Sequence, residues 1–354
     1  MKKVALITNK PHYGGAEKQI ILLANGLANR NYDVTLFFLR SGDAYLDKVN
    51  ENVKCIMPED GTSAFQNIFR LYIFLRRYSP DVVVSFLFQA SVITRCFKIF
   101  FSYKNITSLR NTSYGSILRD KIIKLTAHLD DHTSANSSLA LKLLSVSGVP
   151  QSFIPNIVSL DDQAIKRSYN GSNKYIFVGR LTDQKNIFNL LEAFVAYKQK
   201  TNSLAQLTIV GDGELREEIK SRILDLNSES YITLEGIIDD PSEIIRDSDY
   251  LILPSVREGM PNVIMEAIQQ GVPVIVTSVG AIPDLLSHKE SALIIDGFED
   301  SDILSSLNLS YSLLPCIRSR IAEKALSKIK AKCSQGSVLN NWQNIIEERK
   351  IGNS

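Results

Sequence analysis

Short runs of apolar, often β-branched residues alternate with amphipathic stretches along the first half of the chain. The apolar runs are continuous, a pattern typical of strands buried between two helix layers in a parallel sheet. Helices separate successive strands, so a doubly wound α/β fold is expected. The pattern predicts strands at 4–8, 33–39, 81–86, 106–109 and 132–135, and helices at 16–30, 65–78, 91–101, 118–127 and 137–146.

The same pattern restarts after a polar stretch at 159–173, which we interpret as a linker. The second half predicts strands at 175–178, 206–210, 231–234, 250–253, 272–276 and 292–295, and helices at 187–200, 215–226, 263–270, 317–332 and 337–349. The sequence therefore predicts three parts, namely a first domain over 1–158, a second over 174–335 and a final helical segment over 336–354.

Composition supports a globular protein, because 44% of the 354 residues are hydrophobic and 22% are charged. Four cysteines without C-x-x-C spacing exclude a zinc ribbon and a dense disulfide framework. We expect no signal peptide and no membrane-spanning helix. Residues 1–158 carry 19 Lys and Arg against 11 Asp and Glu, whereas 159–354 carry 21 against 27, so the first half is better suited to an anionic partner.

A strand-to-helix junction at 254–267 carries the most informative pattern. Gly259 allows a tight turn, and Pro261 suits the first position of the helix that follows. The first-turn N–H groups of that helix lack intrahelical acceptors, so anionic groups or polar oxygens bind well there. Glu258 precedes the helix and Glu266 lies about one and a half turns inside it, so two carboxylates can address two parts of one extended ligand. The alternative is a solvated loop glutamate and a helix-surface glutamate.

Three further strand-to-helix turns have suitable chemistry. Arg180 and Lys185 bracket one turn, where a guanidinium fork and an ammonium suit a diphosphate, although a surface ion-pair loop is equally compatible. The turn Gly211-Asp212-Gly213 permits close backbone approach to a ligand, but this pattern is also an ordinary turn. Gly14-Gly15 precedes the first helix, where amides can cap a phosphate or a sugar oxygen.

These four segments, in this order and spacing, resemble the family-4 retaining glycosyltransferases of GT-B architecture. The similarity extends from Gly14 to Asp284 and is most specific at Glu258-x₇-Glu266. The resemblance implies two Rossmann-like domains that face each other across a cleft, with a nucleotide-sugar donor held mainly by the second and an acceptor by the first. It also implies that the C-terminal helix crosses back to the first domain.

The resemblance implies a role for each matching residue. Arg180 and Lys185 would contact the donor diphosphate and, with Glu258, form the catalytic set. Glu266 would accept hydrogen bonds from the ribose, Glu258 would contact hydroxyls of the transferred sugar, and Ile237 would flank the nucleobase. The predicted donor-binding residues are Gly14, Gly15, Gly179, Arg180, Lys185, Gly211, Asp212, Gly213, Ile237, Glu258, Gly259, Met260, Pro261, Asn262, Val263 and Glu266.

The first domain departs from the family pattern at one point. Many relatives have a histidine near the sugar in the middle of this domain, but the matching stretch here, 106–112, has none. Its Arg110 and Asn111 resemble a subset that acts in bacterial surface-polysaccharide assembly. With His12, beside the glycine turn, they are the predicted acceptor-binding residues, although His12 can equally be a solvated loop histidine.

No metal or other cofactor is expected. The family is generally metal-independent, and Asp247-Ser248-Asp249, which matches a D-x-D pattern, leads directly into a strand and is interpreted as structural. His128 and His132 do not form an H-E-x-x-H motif. Basic side chains and helix N-termini would instead stabilise the charge on the leaving group.

The first domain also has features of a membrane-binding surface. Residues 61–104 contain six basic residues and one acid, and residues 65–103 hold 11 of the 29 aromatic residues. Basic, aromatic helices suit an anionic membrane, whereas the alternative is a sheet-facing core with snorkelling basic ends. We expect a cytoplasmic protein, peripheral on the inner face of the plasma membrane, with a lipid-linked or saccharide acceptor and no nucleic-acid partner.

The sequence therefore predicts a retaining hexosyl- or N-acetylhexosaminyltransferase that uses a UDP-sugar in polysaccharide or lipid-linked oligosaccharide assembly. Two alternatives stay open. One is a UDP-sugar 2-epimerase of the same architecture, which would need an array of acid/base residues that we cannot assemble. The other is a non-catalytic nucleotide-sugar-binding protein, against which the intact set of Arg180, Lys185, Glu258 and Glu266 argues.

Overall fold

The computed structural model describes residues 1–11, 14–158, 173–201 and 204–348. The chain divides into two compact units: unit 1 comprises Met1–Ile157 and Cys333–Ser354, and unit 2 comprises Val158–Lys332. In the tail, the division falls between Lys332 and Cys333, whereas the sequence predicts it between 335 and 336. The predicted linker at 159–173 lies outside the described residues except for Asn173.

Unit 1 is built on a seven-stranded parallel sheet. Its strands are β1 (Lys3–Thr8), β2 (Asp33–Phe38), β3 (Lys54–Ile56), β4 (Val82–Phe86), β5 (Lys104–Leu109), β6 (His132–Ala135) and β7 (Gln151–Phe153). They lie in the order β3-β2-β1-β4-β5-β6-β7, and every neighbouring pair is parallel. The winding direction reverses between β1 and β4, and ligands of open α/β sheets bind at such a reversal.

Helices cover both faces of this sheet. Val4 and Leu6 pack in one apolar cluster with residues of the first helix, whereas Ala5 and Ile7 pack in a second cluster with the next two helices. Successive side chains of a strand point to opposite faces, so the continuous apolar runs supply both clusters. The first five helices are α1 (Gly15–Ala28), α2 (Ala64–Tyr78), α3 (Phe88–Phe97), α4 (Ile117–Thr126) and α5 (Ser138–Leu144).

Unit 2 repeats the arrangement with six parallel strands. They are β8 (Lys174–Val178), β9 (Gln206–Val210), β10 (Ile232–Gly236), β11 (Tyr250–Leu253), β12 (Val274–Thr277) and β13 (Leu293–Ile295). The spatial order is β10-β9-β8-β11-β12-β13, so the winding direction reverses between β8 and β11. The helices are α6 (Ile187–Thr201), α7 (Arg216–Asp225), α8 (Ser242–Arg246), α9 (Asn262–Gln269), α10 (Ile282–Leu285), α11 (Asp300–Ser312) and α12 (Pro315–Cys333).

The last helix, α13 (Gln335–Glu347), packs into the core of unit 1. Trp342 is 2% exposed, and its ring lies 6.3 Å from that of Phe86 at the end of β4. The ammonium of Lys104 donates to the carbonyl oxygen of Glu348 over 2.7 Å and to that of Ile345, which satisfies carbonyls at the end of the helix. The predicted return of the C-terminal helix, and the α/β fold with two Rossmann-like domains, are therefore confirmed.

Several predicted bounds are wrong for identifiable reasons. No strand is predicted at β3 or β7, because each has three residues and neither contains a continuous apolar run. The helix predicted at 91–101 is α3, which begins at Phe88 and ends at Phe97. Beyond α3 the chain leaves the helix, and Phe101 packs back on Tyr72 with 5.2 Å between ring centroids.

Three negative observations apply to the described ranges. No helix there combines the length and hydrophobicity that a bilayer-spanning segment requires. No group of three or more His, Cys, Asp or Glu side chains in those ranges is placed to hold a metal ion. All four cysteines lie within them, and each is a free thiol.

Candidate active site

Most of the predicted donor-binding residues lie at one edge of the unit 2 sheet. Gly179 follows β8, Gly211 follows β9 and Ile237 follows β10, while the segment 254–261 follows β11. Because all these strands are parallel, the four segments emerge at the same, carboxyl edge. Strands β8 and β11 flank the reversal in winding, so the segments that follow them meet where ligands of such sheets bind.

A salt bridge joins the two segments at this point. The Nζ of Lys185 donates to Oε1 of Glu258 over 2.6 Å, and the two side chains are 15% and 10% exposed. Removing one partner of this partly buried pair would leave the other charge uncompensated, at a cost below the roughly 3–5 kcal/mol of a fully buried pair. An ammonium has three donors, so Lys185 can hold Glu258 and still donate to a second anion.

Backbone hydrogen bonds hold the same two segments together. The amide of Val256 donates to the carbonyl oxygen of Gln184 over 2.9 Å, and the side-chain amide of Gln184 donates to the carbonyl oxygen of Arg257 over 2.7 Å. Lys185 ends a 3-10 turn at Asp183–Lys185 that follows β8. The salt bridge therefore forms between two backbone segments that are already attached to each other.

The glycines at this edge allow neighbouring loops to pack backbone against backbone. A Cβ at Gly211, where φ is +137°, would overlap the carbonyl oxygen of Gly179, and a Cβ at Gly213 would overlap that of Leu181. Leu181 also donates its amide to the carbonyl oxygen of Asp212 over 2.9 Å. These backbone contacts are sufficient to explain why glycine is required at 211 and 213. That the same glycines approach a ligand stays a prediction.

Helix α9 begins at Asn262, one residue before the predicted range of 263–270 and one residue after Pro261, which was expected at its first position. Pro261 has φ −72° and ψ 119°, an extended conformation, so it precedes the helix as its N-cap, and Asn262 is the first helical residue. The N–H groups of Asn262 and Val263 therefore lie in the first turn of the helix, where no intrahelical acceptor is available to them. Gly259 and Met260 are buried before it, and Gly259 accepts a hydrogen bond from the amide of Ala281 over 2.7 Å.

The remaining predicted residues of unit 2 differ in exposure. Arg180 is exposed, and its guanidinium forms no hydrogen bond or ion pair with any described residue. Asp212 is exposed, and its Oδ1 accepts from the amide of Gly213 over 2.7 Å. Glu266 is half-buried on α9. The structure thus brings Lys185 and Glu258 into direct contact and places Arg180 and Glu266 on the adjoining loop and helix.

Sequence reasoning missed Arg216, the first residue of α7. Strand β10 ends at Gly236 with φ +82°, and a Cβ there would lie 3.4 Å from Nη1 of Arg216. The same Nη1 is 3.4 Å from the carbonyl oxygen of Gly211, and the neighbouring Ile237 is 72% exposed. A basic side chain at a helix N-terminus is unfavourable with respect to the helix dipole. The position of Arg216 at the start of α7 therefore indicated, in the sequence alone, that its guanidinium binds a group outside the helix.

In unit 1, the predicted residues Gly14, Gly15, Arg110 and Asn111 lie at the carboxyl edge of the other sheet. Gly14 is the N-cap of α1, with an extended backbone, and Gly15 is the exposed first residue of that helix. His12 lies outside the described residues. Asn111 is exposed directly after Arg110, which follows β5.

Arg110 is buried, with 6% of its surface exposed. Its guanidinium lies 4.9 Å from the ring centroid of Phe86 and donates through Nη2 to Oδ1 of Asn156. Burial lowers the pKa of Arg110 to about 10, and its Nε has no hydrogen-bond partner among the described residues. The side chain is therefore a buried cation whose described contacts are an aromatic ring, an amide and, at 3.5 Å, the hydroxyl of Ser108.

Two sequence families match consecutive parts of the chain. The family described as Glycosyltransferase Family 4 matches residues 13–162, and the family described as Glycosyl transferases group 1 matches residues 159–325. The first match covers most of the unit 1 sheet and the second covers the candidate site in unit 2.

Curated relatives and solved structures agree with these matches. The amylovoran biosynthesis glycosyltransferase AmsD of Erwinia amylovora is 29% identical over 77% of this chain and 80% of its own length. The UDP-Gal:alpha-D-GlcNAc-diphosphoundecaprenol alpha-1,3-galactosyltransferase of Escherichia coli is 25% identical over 99% of this chain and 95% of its own. Anabaena HepE, solved with UDP and glucose, has a TM-score of 0.84 at 16% identity over 99% of this chain and 100% of its own, which shows the same fold. The chain therefore belongs to the family-4 glycosyltransferases of GT-B architecture, a family that includes enzymes of bacterial polysaccharide biosynthesis.

Proposed function

We propose that this glycosyltransferase moves a hexose or N-acetylhexosamine from a UDP-sugar to a polyprenyl-diphosphate-linked acceptor, with retention of the anomeric configuration. The Escherichia coli relative is named for a UDP-sugar donor and a diphosphoundecaprenol acceptor, and Anabaena HepE was solved with UDP. These names support the proposed substrates.

The observation that carries the proposal is the salt bridge between Lys185 and Glu258 at the reversal of the unit 2 sheet. Lys185 would direct its remaining donors at the donor diphosphate, and Arg180 would add a guanidinium fork. The N-terminus of α9, whose dipole favours negative charge, would face phosphate or sugar oxygens. Glu258, oriented by Lys185, would accept hydrogen bonds from the sugar, and Glu266 from the ribose.

The reaction would break the bond between the anomeric carbon and the diphosphate oxygen. The acceptor hydroxyl would attack from the face that the nucleotide leaves, and the leaving phosphate would take its proton. Negative charge develops on that phosphate, and preorganised cations stabilise the charge most where water is excluded. We propose that no divalent metal is needed, so EDTA should leave turnover unchanged. In support of this, Asp249 of the D-x-D match accepts a hydrogen bond from the amide of Lys174 at the start of β8, which lies at the edge of the sheet opposite to the candidate site.

Turnover of UDP-sugars by variants of Lys185 tests the proposal. Lys185→Ala should lower turnover about 10²–10³-fold, the usual loss on removing one preorganised donor to a developing charge. The double variant Lys185→Met/Glu258→Gln removes both charges and keeps both volumes, so it should fold normally and be equally inactive. Lys220→Ala, at an exposed lysine on α7, is the matched control and should retain activity. Near-normal turnover in Lys185→Ala would contradict the proposal.

The same assay separates the alternative functions. With an acceptor present, the proposed enzyme releases UDP and forms a glycosidic product. A 2-epimerase would change the sugar without any acceptor, and a non-catalytic binding protein would bind UDP without releasing sugar from any of several UDP- and GDP-sugars.

We further propose that unit 1 contacts an anionic membrane. Helix α4 exposes Ile117, Leu118 and Leu125 by 77%, 66% and 72%, beside the exposed basic residues Arg119, Lys121 and Lys124. Residues 61–146 carry 11 Lys and Arg against four Asp. Apolar side chains among basic ones favour insertion at an anionic lipid surface, so the enzyme would be peripheral on the cytoplasmic face of the membrane.

Liposome flotation tests this surface. The protein should float with phosphatidylglycerol vesicles at low salt and less so at high salt, since salt screens the attraction. The double variant Ile117→Asp/Leu118→Asp should remain at the bottom, whereas Leu224→Asp, at an exposed leucine of unit 2, should float like the wild type. No association of the wild type at low salt would contradict the proposal.

A further inference from the structure

Unit 1 contains an apolar cavity that none of the predicted site residues lines. Its volume is about 280 Å³, and Leu39, Ile68, Phe88, Val92 and Ile93 form most of its wall. Leu39 directly follows β2, and Phe88 opens α3 just beyond β4. The cavity therefore lies between α2 and α3 at the carboxyl edge of the sheet, where ligands of this fold bind.

Two positively charged features lie at this cavity, the guanidinium of Arg40 and the N-terminus of α3, and both favour an anionic group. Arg40, which also lines the cavity, is exposed, and its guanidinium forms no hydrogen bond or ion pair with any described residue. The N-terminus of α3 is at the same wall and favours negative charge.

Asn67 adds an unsatisfied polar group to the wall. It is 4% exposed, and its Oδ1 has no hydrogen-bond partner among the described residues. Its Nδ2 reaches the carbonyl oxygen of Thr62 only at 3.4 Å. A reversed amide would direct Nδ2 to the unsatisfied position and let Asn67 donate to an anionic ligand, at the loss of its long contact with Thr62.

We propose that this cavity binds the isoprenoid units nearest the diphosphate of a polyprenyl diphosphate, with Arg40 and the start of α3 facing the phosphates. The inference rests on the proposed lipid-linked acceptor. A sugar would leave hydroxyl groups without partners against this wall, whereas a branched hydrocarbon fits it. Phe65 and Phe69, on the first turns of α2, are 79% and 56% exposed and extend the apolar surface beyond the cavity.

Calorimetric binding of farnesyl diphosphate to the full-length protein tests the proposal. Farnesyl diphosphate should bind more tightly than farnesol, which lacks the anion, and more tightly than inorganic pyrophosphate, which lacks the tail. Equal binding of pyrophosphate would show a site for anions alone and would overturn the inference. Equal binding of dodecyl phosphate would show a general alkyl site and would overturn the assignment to an isoprenoid.

Two variants locate the binding in this cavity. Val92→Trp fills the cavity and should weaken farnesyl diphosphate binding at least tenfold, whereas Cys96→Trp, at an exposed position of the same helix, should not. Arg40→Gln should weaken farnesyl diphosphate about tenfold and leave farnesol unchanged, because a charge-assisted hydrogen bond is lost. If Val92→Trp does not fold, Ile68→Arg blocks the rim instead. Unchanged affinity in the variant that blocks the cavity would overturn the inference.

UDP binding separates this inference from the proposed function. If the protein binds UDP and loses turnover in Lys185→Ala, but does not bind farnesyl diphosphate, the cavity assignment alone is wrong. If UDP does not bind either, the proposed function is wrong as well.

Discussion

The carboxyl edges of the two sheets share the same reversal of winding but differ in their chemistry. In unit 2, a salt bridge between Lys185 and Glu258 and close glycine contacts hold the edge together. In unit 1, the buried Arg110 is held by an aromatic ring and an amide, and a cavity with mostly apolar walls opens beside β2. One backbone plan therefore supports both an edge held by a salt bridge and an edge where cations lie beside an apolar cavity, depending on the residues that follow each strand.

This difference matches the two kinds of substrate that we propose. A nucleotide diphosphate presents the same charges in every donor, so a preorganised edge of cations and open amides suits it. A lipid-linked acceptor presents a hydrocarbon chain and a variable saccharide, for which apolar walls and amides are better suited. Each edge can be perturbed separately.

The greatest change is expected in stability, from a variant that disturbs the close backbone packing at the carboxyl edge of unit 2. Gly211→Ala should destabilise the protein by about 3 kcal/mol or more, because the new methyl group would overlap the carbonyl oxygen of Gly179 in a backbone with positive φ. Gly115→Ala also lies at a positive φ, +79°, near the left-handed region, but has open space around the Cβ, and should cost only about 1 kcal/mol. Urea unfolding of both variants measures the difference, and equal costs would show that the close packing is unimportant.

The next effect tests Arg110 in unit 1. Arg110→Gln should lower transfer to an acceptor about tenfold to hundredfold, since a charge-assisted contact is lost. Slow hydrolysis of the UDP-sugar should not change, because we propose that the donor is held mainly by unit 2. Arg119→Gln, at an exposed arginine, is the control. A parallel loss of hydrolysis in Arg110→Gln would remove the functional distinction between the two edges.

A smaller effect is expected on the pH dependence of stability, through a buried histidine of unit 1. His132, at the start of β6, is buried, and burial lowers its pKa below 6.5. The unfolded chain then binds a proton more readily than the folded one, so the free energy of unfolding should fall as pH drops below 6.5. Thermal unfolding of His132→Gln should show less acid sensitivity than the wild type. His288 of unit 2, whose pKa burial also lowers, remains in both proteins and does not affect the comparison.

The sequence predicted the fold well where buried strands form continuous apolar runs, as in β1, β4 and β11. It did not predict β3 and β7, since these three-residue strands at the sheet edges depend on pairing with a neighbour rather than on hydrophobic pattern. The winding order brings the segments after β8 and β11 together, which made a shared site predictable. The salt bridge between Lys185 and Glu258 within that site did not follow from the sequence.

Two details of the site required three-dimensional structure. The sequence leaves open whether the glycine turn after β9 approaches a ligand or is an ordinary turn, and only the structure shows that the neighbouring loop occupies the position of a Cβ at Gly211 and Gly213. Arg216 reaches the end of β10 only because β9 and β10 are neighbours, and no spacing in the chain indicates that contact. Hydrophobic periodicity therefore cannot predict two features of this site, namely the close packing of one loop backbone on another and the contacts that long side chains make across neighbouring strands.

The affinity of UDP and of uridine for the wild type and the double variant Lys185→Met/Glu258→Gln shows whether Lys185, paired with Glu258, holds the donor diphosphate. We expect the variant to bind uridine like the wild type but UDP about tenfold to hundredfold more weakly, since only the diphosphate contacts are lost. Unchanged UDP affinity in a folded variant would contradict the assignment of the diphosphate to this edge of unit 2.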